Sequence, residues 1–171
     1  MTYQFLLIIL LCLMAGTSSA LTEDRDLPVH IEANKATMDE TTGISLYEGQ
    51  VVITQGTLKI TADMVEVKTV NSEVTKIVAS TEKPGRLSHY EEMPDDREGL
   101  ITADAKTITY EFALEKVKLE GSAKLTQVKD IYRGELLTYD ARKGFVTLNS
   151  SGKPGDRVSI TFTPKQKSSD E

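Results

Sequence analysis

Carboxylates are the residues of this chain best suited to chemistry. Asp63 and Asp104 close two four-residue phrases, Ile60-Thr61-Ala62-Asp63 and Ile101-Thr102-Ala103-Asp104. Asn34 and Glu135 stand in the equivalent places of Ile31-Glu32-Ala33-Asn34 and a weaker echo, Ile131-Tyr132-Arg133-Gly134-Glu135. A carboxylate in a cleft can act as general base or nucleophile. That role needs convergence on a pocket, whereas one acidic residue per copy of a phrase is distributed along the chain. An Asx side chain after a small residue can instead satisfy a backbone amide at a bend between strands. The spacing predicts this second role for Asp63 and Asp104.

The remaining reactive side chains are sparse. His30 and His89 are far apart in sequence and read as surface or hydrogen-bonded residues. Glu91, Glu92, Asp95, Asp96 and Arg97 read as a solvated loop, with contact to a divalent cation or a charged headgroup as the alternative. No metal-ligand spacing, no nucleophile beside a base and no glycine-rich phosphate loop is evident, so nothing calls for a cofactor, a metal or a catalytic residue.

The phrase that carries the acidic residues is itself informative. Its copies recur at a spacing of 29 or 30 residues within each half of the chain. A second phrase, Leu46-Tyr47-Glu48-Gly49-Gln50-Val51-Val52-Ile53-Thr54-Gln55, answers to Lys118-Leu119-Glu120-Gly121-Ser122-Ala123-Lys124-Leu125-Thr126-Gln127. A fixed period of this length marks a supersecondary unit that cannot bury its apolar face alone and must stack on its copies.

Periodicity identifies the unit. Val51 and Ile53, Leu58 and Ile60, Val65 and Val67, Ile108, Tyr110 and Phe112, Val117 and Leu119, and Val158, Ile160 and Phe162 alternate with polar or outward positions. Period two is the signature of strands, and glycines punctuate the runs as turns and bulges would. The expectation is an all-β chain of short antiparallel strands from about Val29 to Phe162, with Thr109 facing outward. Lys83 to Gly99 is the longest expected loop.

The N-terminus predicts where the chain works. Phe5 to Met14 is uncharged and apolar, and Ser18-Ser19-Ala20 presents small residues where a signal peptidase reads. Residues 1–20 are expected to be a cleavable signal peptide, residues 21–164 a single domain, and the polar residues 165–171 a disordered tail. The apolar run is short of the about 20 residues a membrane span needs. Removing the leader leaves 171 − 20 = 151 residues, enough for one domain with a real core. The only cysteine, Cys12, lies in the leader, so the mature chain is expected to have none, which suits a periplasmic protein that folds on its own core. The net charge of -6 argues against nucleic acid as a partner.

Leu27-Pro28-Val29-His30-Ile31-Glu32, then Glu48-Gly49 before a Val-rich strand, then Gln55-Gly56-Thr57-Leu58-Lys59-Ile60-Thr61-Ala62-Asp63, resemble the LptA family, periplasmic lipopolysaccharide-transport proteins with an OstA-like domain. The resemblance runs from about Leu27 to Phe162 and is most specific over Gln55 to Asp63. It implies an open β-jellyroll of two antiparallel sheets built from repeated strand units, whose apolar interior holds the acyl chains of lipid A. It also implies head-to-tail self-association into a bridge from the inner-membrane ABC transporter and LptC to LptD at the outer membrane. By the same resemblance Val29, Leu87, Tyr110 and Phe112 fall in the lipid-facing interior; alternation alone allows groove or ordinary core.

Physical chemistry is consistent with such a carrier. Sheets not closed into a barrel leave unpaired edges that recruit other strands, here expected at Leu27 to Ile31 and Val158 to Phe162. Each methylene removed from water contributes roughly 0.8 kcal/mol, so carrying an acyl chain needs an apolar groove and no reactive centre. Two alternatives stand beside the periplasmic carrier. One is an LptC-like component that keeps its leader as an anchor. The other is a periplasmic polysaccharide-processing enzyme built on stacked β repeats.

Overall fold

The structure, a computed structural model, describes Asp24 and residues 27–93 and 99–164. The expected signal peptide and the expected tail lie outside the described residues, as do Asp95, Asp96 and Arg97.

Among the described residues twelve strands form one continuous antiparallel ladder: β1 (His30–Glu32), β2 (Lys35–Asp39), β3 (Ile44–Gln55), β4 (Leu58–Val70), β5 (Glu73–Ser80), β6 (Ser88–Glu92), β7 (Ile101–Ala105), β8 (Thr107–Glu111), β9 (Lys116–Gln127), β10 (Asp130–Asp140), β11 (Phe145–Asn149) and β12 (Ser159–Thr161). Two-residue turns close several hairpins. Asn71 and Ser72, both at positive φ, join β4 to β5, the conformation whose twist matches the strands it connects.

Four long strands divide the ladder into two sheets. The second half of β3 and the first half of β4 pair with β1 and β6, whereas the first half of β3 and the second half of β4 pair with β2 and β5. Likewise β9 and β10 contribute one half to a sheet with β7 and β12 and the other half to a sheet with β8 and β11. The change of sheet falls at β-bulges, where the register slips between Glu48 and Val51 and between Gly134 and Leu136. Strands that switch sheets through bulges make the corners of a sandwich. Here the corners align into a spine along one side of the molecule.

The inward faces meet over a single core. One row crosses the first sheet in register through Ile31, Ile53, Ile60, Tyr90, Ala103, Leu125, Tyr132 and Ile160. A matching row crosses the second through Ala36, Tyr47, Val65, Ala79, Ile108, Leu119, Leu137 and Leu148. Tyr90 of one sheet and Tyr110 of the other bring their rings within 6.1 Å across the interface. Each fully buried Ile, Leu or Val contributes roughly 1.5–3 kcal/mol, so the middle of each row holds the two sheets together.

Three sequence expectations are corrected here. The segment from Lys83 to Gly99 is not one loop, because it contains β6, whose Ser88, Tyr90 and Glu92 are buried; two buried polar residues had masked its alternation. Asp63 and Asp104 do not satisfy backbone amides at bends: Asp63, at the corner of β4, and Asp104, within β7, spend their carboxylates on side chains. Thr109 faces away from the core row but is only 8% exposed, because β8 is a central strand and Val78 and Lys118 flank it in register.

Candidate functional site

The interior is graded along each row. Residues at the centre of the first-sheet row, Ile53, Ile60, Tyr90, Ala103 and Leu125, are buried, whereas Ile31 and Tyr132 are half-buried and Ile160 is 45% exposed. The second-sheet row repeats this pattern, from exposed Ala36 through a buried middle to half-buried Leu148. An apolar face therefore runs from one end of the sandwich to the other and surfaces at both ends. Each end is a pair of edges: among the described residues β1 and β2 pair only with β3, and β11 and β12 pair only with β10. The sequence named Leu27 to Ile31 and Val158 to Phe162 as edges, which fall at β1 and β12; β2 and β11 went unnoticed because each is five residues long and carries only two apolar residues on its row face, Ala36 and Met38 or Val146 and Leu148.

The four residues singled out by sequence fall in three settings. Tyr110 is buried and Phe112 packs edge-on against it, with centroids 4.7 Å apart at 74°. Phe112 begins a short 3-10 helix, Phe112–Leu114, where β8 ends. Val29 precedes β1 and packs half-buried against the core at the first end. Leu87 does not join them. It precedes Ser88 on β6, and strand parity puts it with His89, on the face opposite Tyr90. It is 40% exposed at the spine.

Polar groups enter the interior at one rim. Gln55 and Glu92 are buried at the ends of β3 and β6. The Tyr90 hydroxyl donates to the Glu92 carboxylate, and Gln55 donates to the Leu27 carbonyl over 2.9 Å. Burial, reinforced by the Glu92 charge, holds the Tyr90 phenol well above its ordinary range. A neutral hydroxyl thus stays in place as a donor within a largely apolar interior.

The outer face of the first sheet carries a different chemistry. His89 Nδ1 lies 2.8 Å from Asp104 Oδ1, Lys124 Nζ lies 3.9 Å from Asp104 Oδ2, and Lys59 Nζ lies 3.4 Å from Glu91. These are in-register cross-strand pairs on a partly solvated surface, each contributing a fraction of a kcal/mol. Among the described residues no three His, Cys, Asp or Glu side chains converge as a metal site, and no helix is long and apolar enough to cross a membrane.

Comparison with known proteins agrees with this architecture. Residues 30–145 match the family described as LptA/(LptD N-terminal domain) LPS transport protein. The chain is 31% identical over 153 residues to the lipopolysaccharide export system protein LptH of Pseudomonas aeruginosa, covering 86% of each chain. It is also 31% identical over 147 residues to the lipopolysaccharide export system protein LptA of Escherichia coli K12, covering 86% of this chain and 77% of that one. The crystal structure of LptH from Pseudomonas aeruginosa, described as the LptA-homologous periplasmic component of the lipopolysaccharide transport device, superposes with a TM-score of 0.74 at 26% identity. That superposition covers 84% of this chain and all of that one.

Proposed function

This chain belongs to the family of LptA and LptD N-terminal-domain lipopolysaccharide transport proteins, and we propose that it is a periplasmic carrier that binds lipopolysaccharide and shields lipid A acyl chains in its apolar interior on the way to outer-membrane assembly. It performs no catalysis. Its protomers stack head to tail, taking cargo from the inner-membrane ABC transporter and LptC and passing it to LptD. The observation that carries this reading is the graded apolar face, which runs the length of the sandwich and surfaces beside open strand edges at both ends. An edge that pairs with the next protomer would extend the sheet and align the two apolar faces, and head-to-tail contacts that do not close give filaments. A dozen methylenes leaving water gain on the order of 10 kcal/mol, enough for affinity without any reactive group.

Photo-crosslinking tests it. Crosslinkers at Val29, Tyr110 and Phe112 should capture lipopolysaccharide in cells, and the purified protein should yield the lipid on extraction. Exposed positions on the outward face of the second sheet, Glu66 and Lys118, should not capture it. Equal labelling of both sets removes the interior assignment, because successive strand residues face opposite sides.

A further inference from the structure

At the spine, cations gather beside an exposed leucine. Lys83, Pro84, Gly85 and Arg86 form a tight turn closed by the Arg86 amide donating to the Lys83 carbonyl over 3.2 Å, with Gly85 at φ +75. Proline second and a positive-φ glycine third suit a type II turn, which brings the first and fourth side chains together. Lys83 Nζ and Arg86 Nη1 accordingly reach the same oxygen, Asp63 Oδ1, at 3.2 and 3.1 Å. Asp63 is mostly buried, and its Oδ2 has no partner among the described residues.

Lys106 completes the cluster. It stands at the spine between β7 and β8, its amide donating to the Gly121 carbonyl and its stem lying over Gly121. The phrase ending in Asp104 is displaced along its strand: Asp104 aligns through His89 with Thr61 rather than with Asp63. A lysine therefore occupies a corner place like those of Asn34, Asp63 and Glu135. Lys83, Arg86, Lys106 and Leu87 line one groove of about 830 Å³, with Glu82 its one lining carboxylate. Lys106 forms no ion pair among the described residues, and a guanidinium and an ammonium each keep donors beyond the one given to Asp63. On a chain of net charge -6, this juxtaposition favours an anion attached to something apolar.

We propose that this spine groove binds the phosphate of an anionic amphiphile, with Lys83, Arg86 and Lys106 on the phosphate and Leu87 against the first carbons of its apolar chain. The assignment deepens the carrier reading and rests on it. It supplies a headgroup station outside the sandwich, whereas among the described residues no Lys or Arg is buried in the interior. Asp63 is a positioning residue, holding Lys83 and Arg86 on the groove wall. Because the cations are exposed, their contribution is screened by salt.

Calorimetric titration of the full-length mature chain with dodecyl phosphate, the uncharged dodecyl glucoside and inorganic phosphate separates the possibilities. At low ionic strength dodecyl phosphate should bind about five- to tenfold more tightly than the glucoside, as a few exposed charge contacts allow. Lys106→Gln, which touches no carboxylate, should narrow that gap. The triple variant Asp63→Asn, Lys83→Gln, Arg86→Gln removes acid and bases together, leaves no unbalanced charge, and should narrow it further. A gap unchanged in both folded variants overturns the proposal. So does inorganic phosphate binding as tightly as dodecyl phosphate, which would make the groove a site for the free anion. Equal binding of both dodecyl probes overturns the headgroup station while leaving the carrier intact, and binding of neither overturns both.

Discussion

Asp63 and Glu135 hold the same station in the two halves of the repeat: each faces a two-residue bulge that begins with glycine. Asp63 sits opposite Gly49–Gln50 and Glu135 opposite Gly121–Ser122, and all four bulge residues have positive φ. The two acids use the station differently. Glu135 accepts the Ser122 amide over 3.3 Å, which is the amide-satisfying role expected of the whole set, whereas Asp63 collects Lys83 and Arg86. The bulges bend long strands from one sheet to the other, so the repeated Glu-Gly phrase is what makes a sandwich from a ladder.

One corner glycine and one turn glycine give the first prediction. At Gly121, φ is +80 and an added Cβ would lie 2.9 Å from Lys106 Cδ and 3.0 Å from its Cβ. At Gly85, φ is +75 and nothing lies within 4 Å. Backbone strain alone costs about 1 kcal/mol, so Gly85→Ala should lose roughly that amount by chemical denaturation. Gly121→Ala should lose about 1 kcal/mol more, because the Lys106 stem must shift. Equal losses would mean that the spine is loose enough to accommodate a methyl group.

Tyr90 gives a prediction about pH. Its phenol is held above the ordinary value by burial first and by the Glu92 carboxylate second. Below about pH 10 the group is neutral in both folded and unfolded chains and has no effect on the pH slope. Above about pH 10 only the unfolded chain ionises, so stability falls by up to about 1.4 kcal/mol per pH unit from this residue. In parallel denaturation series between pH 10 and 11, Tyr90→Phe should make the fall of stability with pH shallower, by up to one proton. At neutral pH it should also cost about 1–2 kcal/mol through loss of the hydrogen bond to the carboxylate. Identical slopes for the two proteins would place the ionisation elsewhere.

Much of this fold was legible from alternation, because strands with one buried face announce themselves by period two. Val51, Ile53, Leu58, Ile60, Val65, Val67, Ile108, Val117 and Leu119 are all in the core. Alternation failed where buried positions are polar. Ser88 and Glu92 hid β6, since their burial depends on partners, Thr81 and Tyr90, that are distant or unremarkable in sequence. It also failed where a residue's neighbours, not its parity, set its exposure, as at Thr109. Phe112 kept its inward packing although β8 had ended, because the 3-10 turn returns its ring to Tyr110. The spine cluster was out of reach, for the alignment of Lys106 with Lys83 and Arg86 depends on a two-residue register offset that only strand pairing reveals. A Lys-Pro-Gly-Arg turn was the one available signal.

The C-terminal edge gives the third prediction. Ile160 lies on β12, which among the described residues pairs only with β10, through Ile131, Tyr132 and Arg133. Proline there removes a backbone donor and is tolerated at an edge far better than inside a sheet. Ile160→Pro should leave the domain folded by circular dichroism and weaken self-association, whereas Leu125→Pro on central β9 should disrupt folding. Light scattering at rising concentration decides it. A folded Ile160→Pro protein with an unchanged oligomer distribution would move the contact to β11 or away from this end.

The acidic residues of the repeat separate a carrier from an enzyme. Asp63→Asn keeps the shape of the side chain and removes a charge shared by Lys83 and Arg86, both of which are more than half exposed. Exposed pairs of this kind contribute at most about 1 kcal/mol, and the buried Oδ2 carries a desolvation cost that an uncharged amide reduces. The stability change should therefore lie within about 1 kcal/mol and shrink further in high salt. Asp104→Asn keeps an oxygen near His89 Nδ1, 2.8 Å away in the parent, and should be equally mild. Both variants should sustain growth when they replace the parent protein in a transport-depleted strain. A catalytic carboxylate behaves otherwise, because an amide can serve neither as general base nor as nucleophile. Loss of growth with Asp104→Asn, which lies outside the spine groove, at parental abundance and parental melting temperature, would overturn the carrier reading and make that carboxylate the centre of an active site.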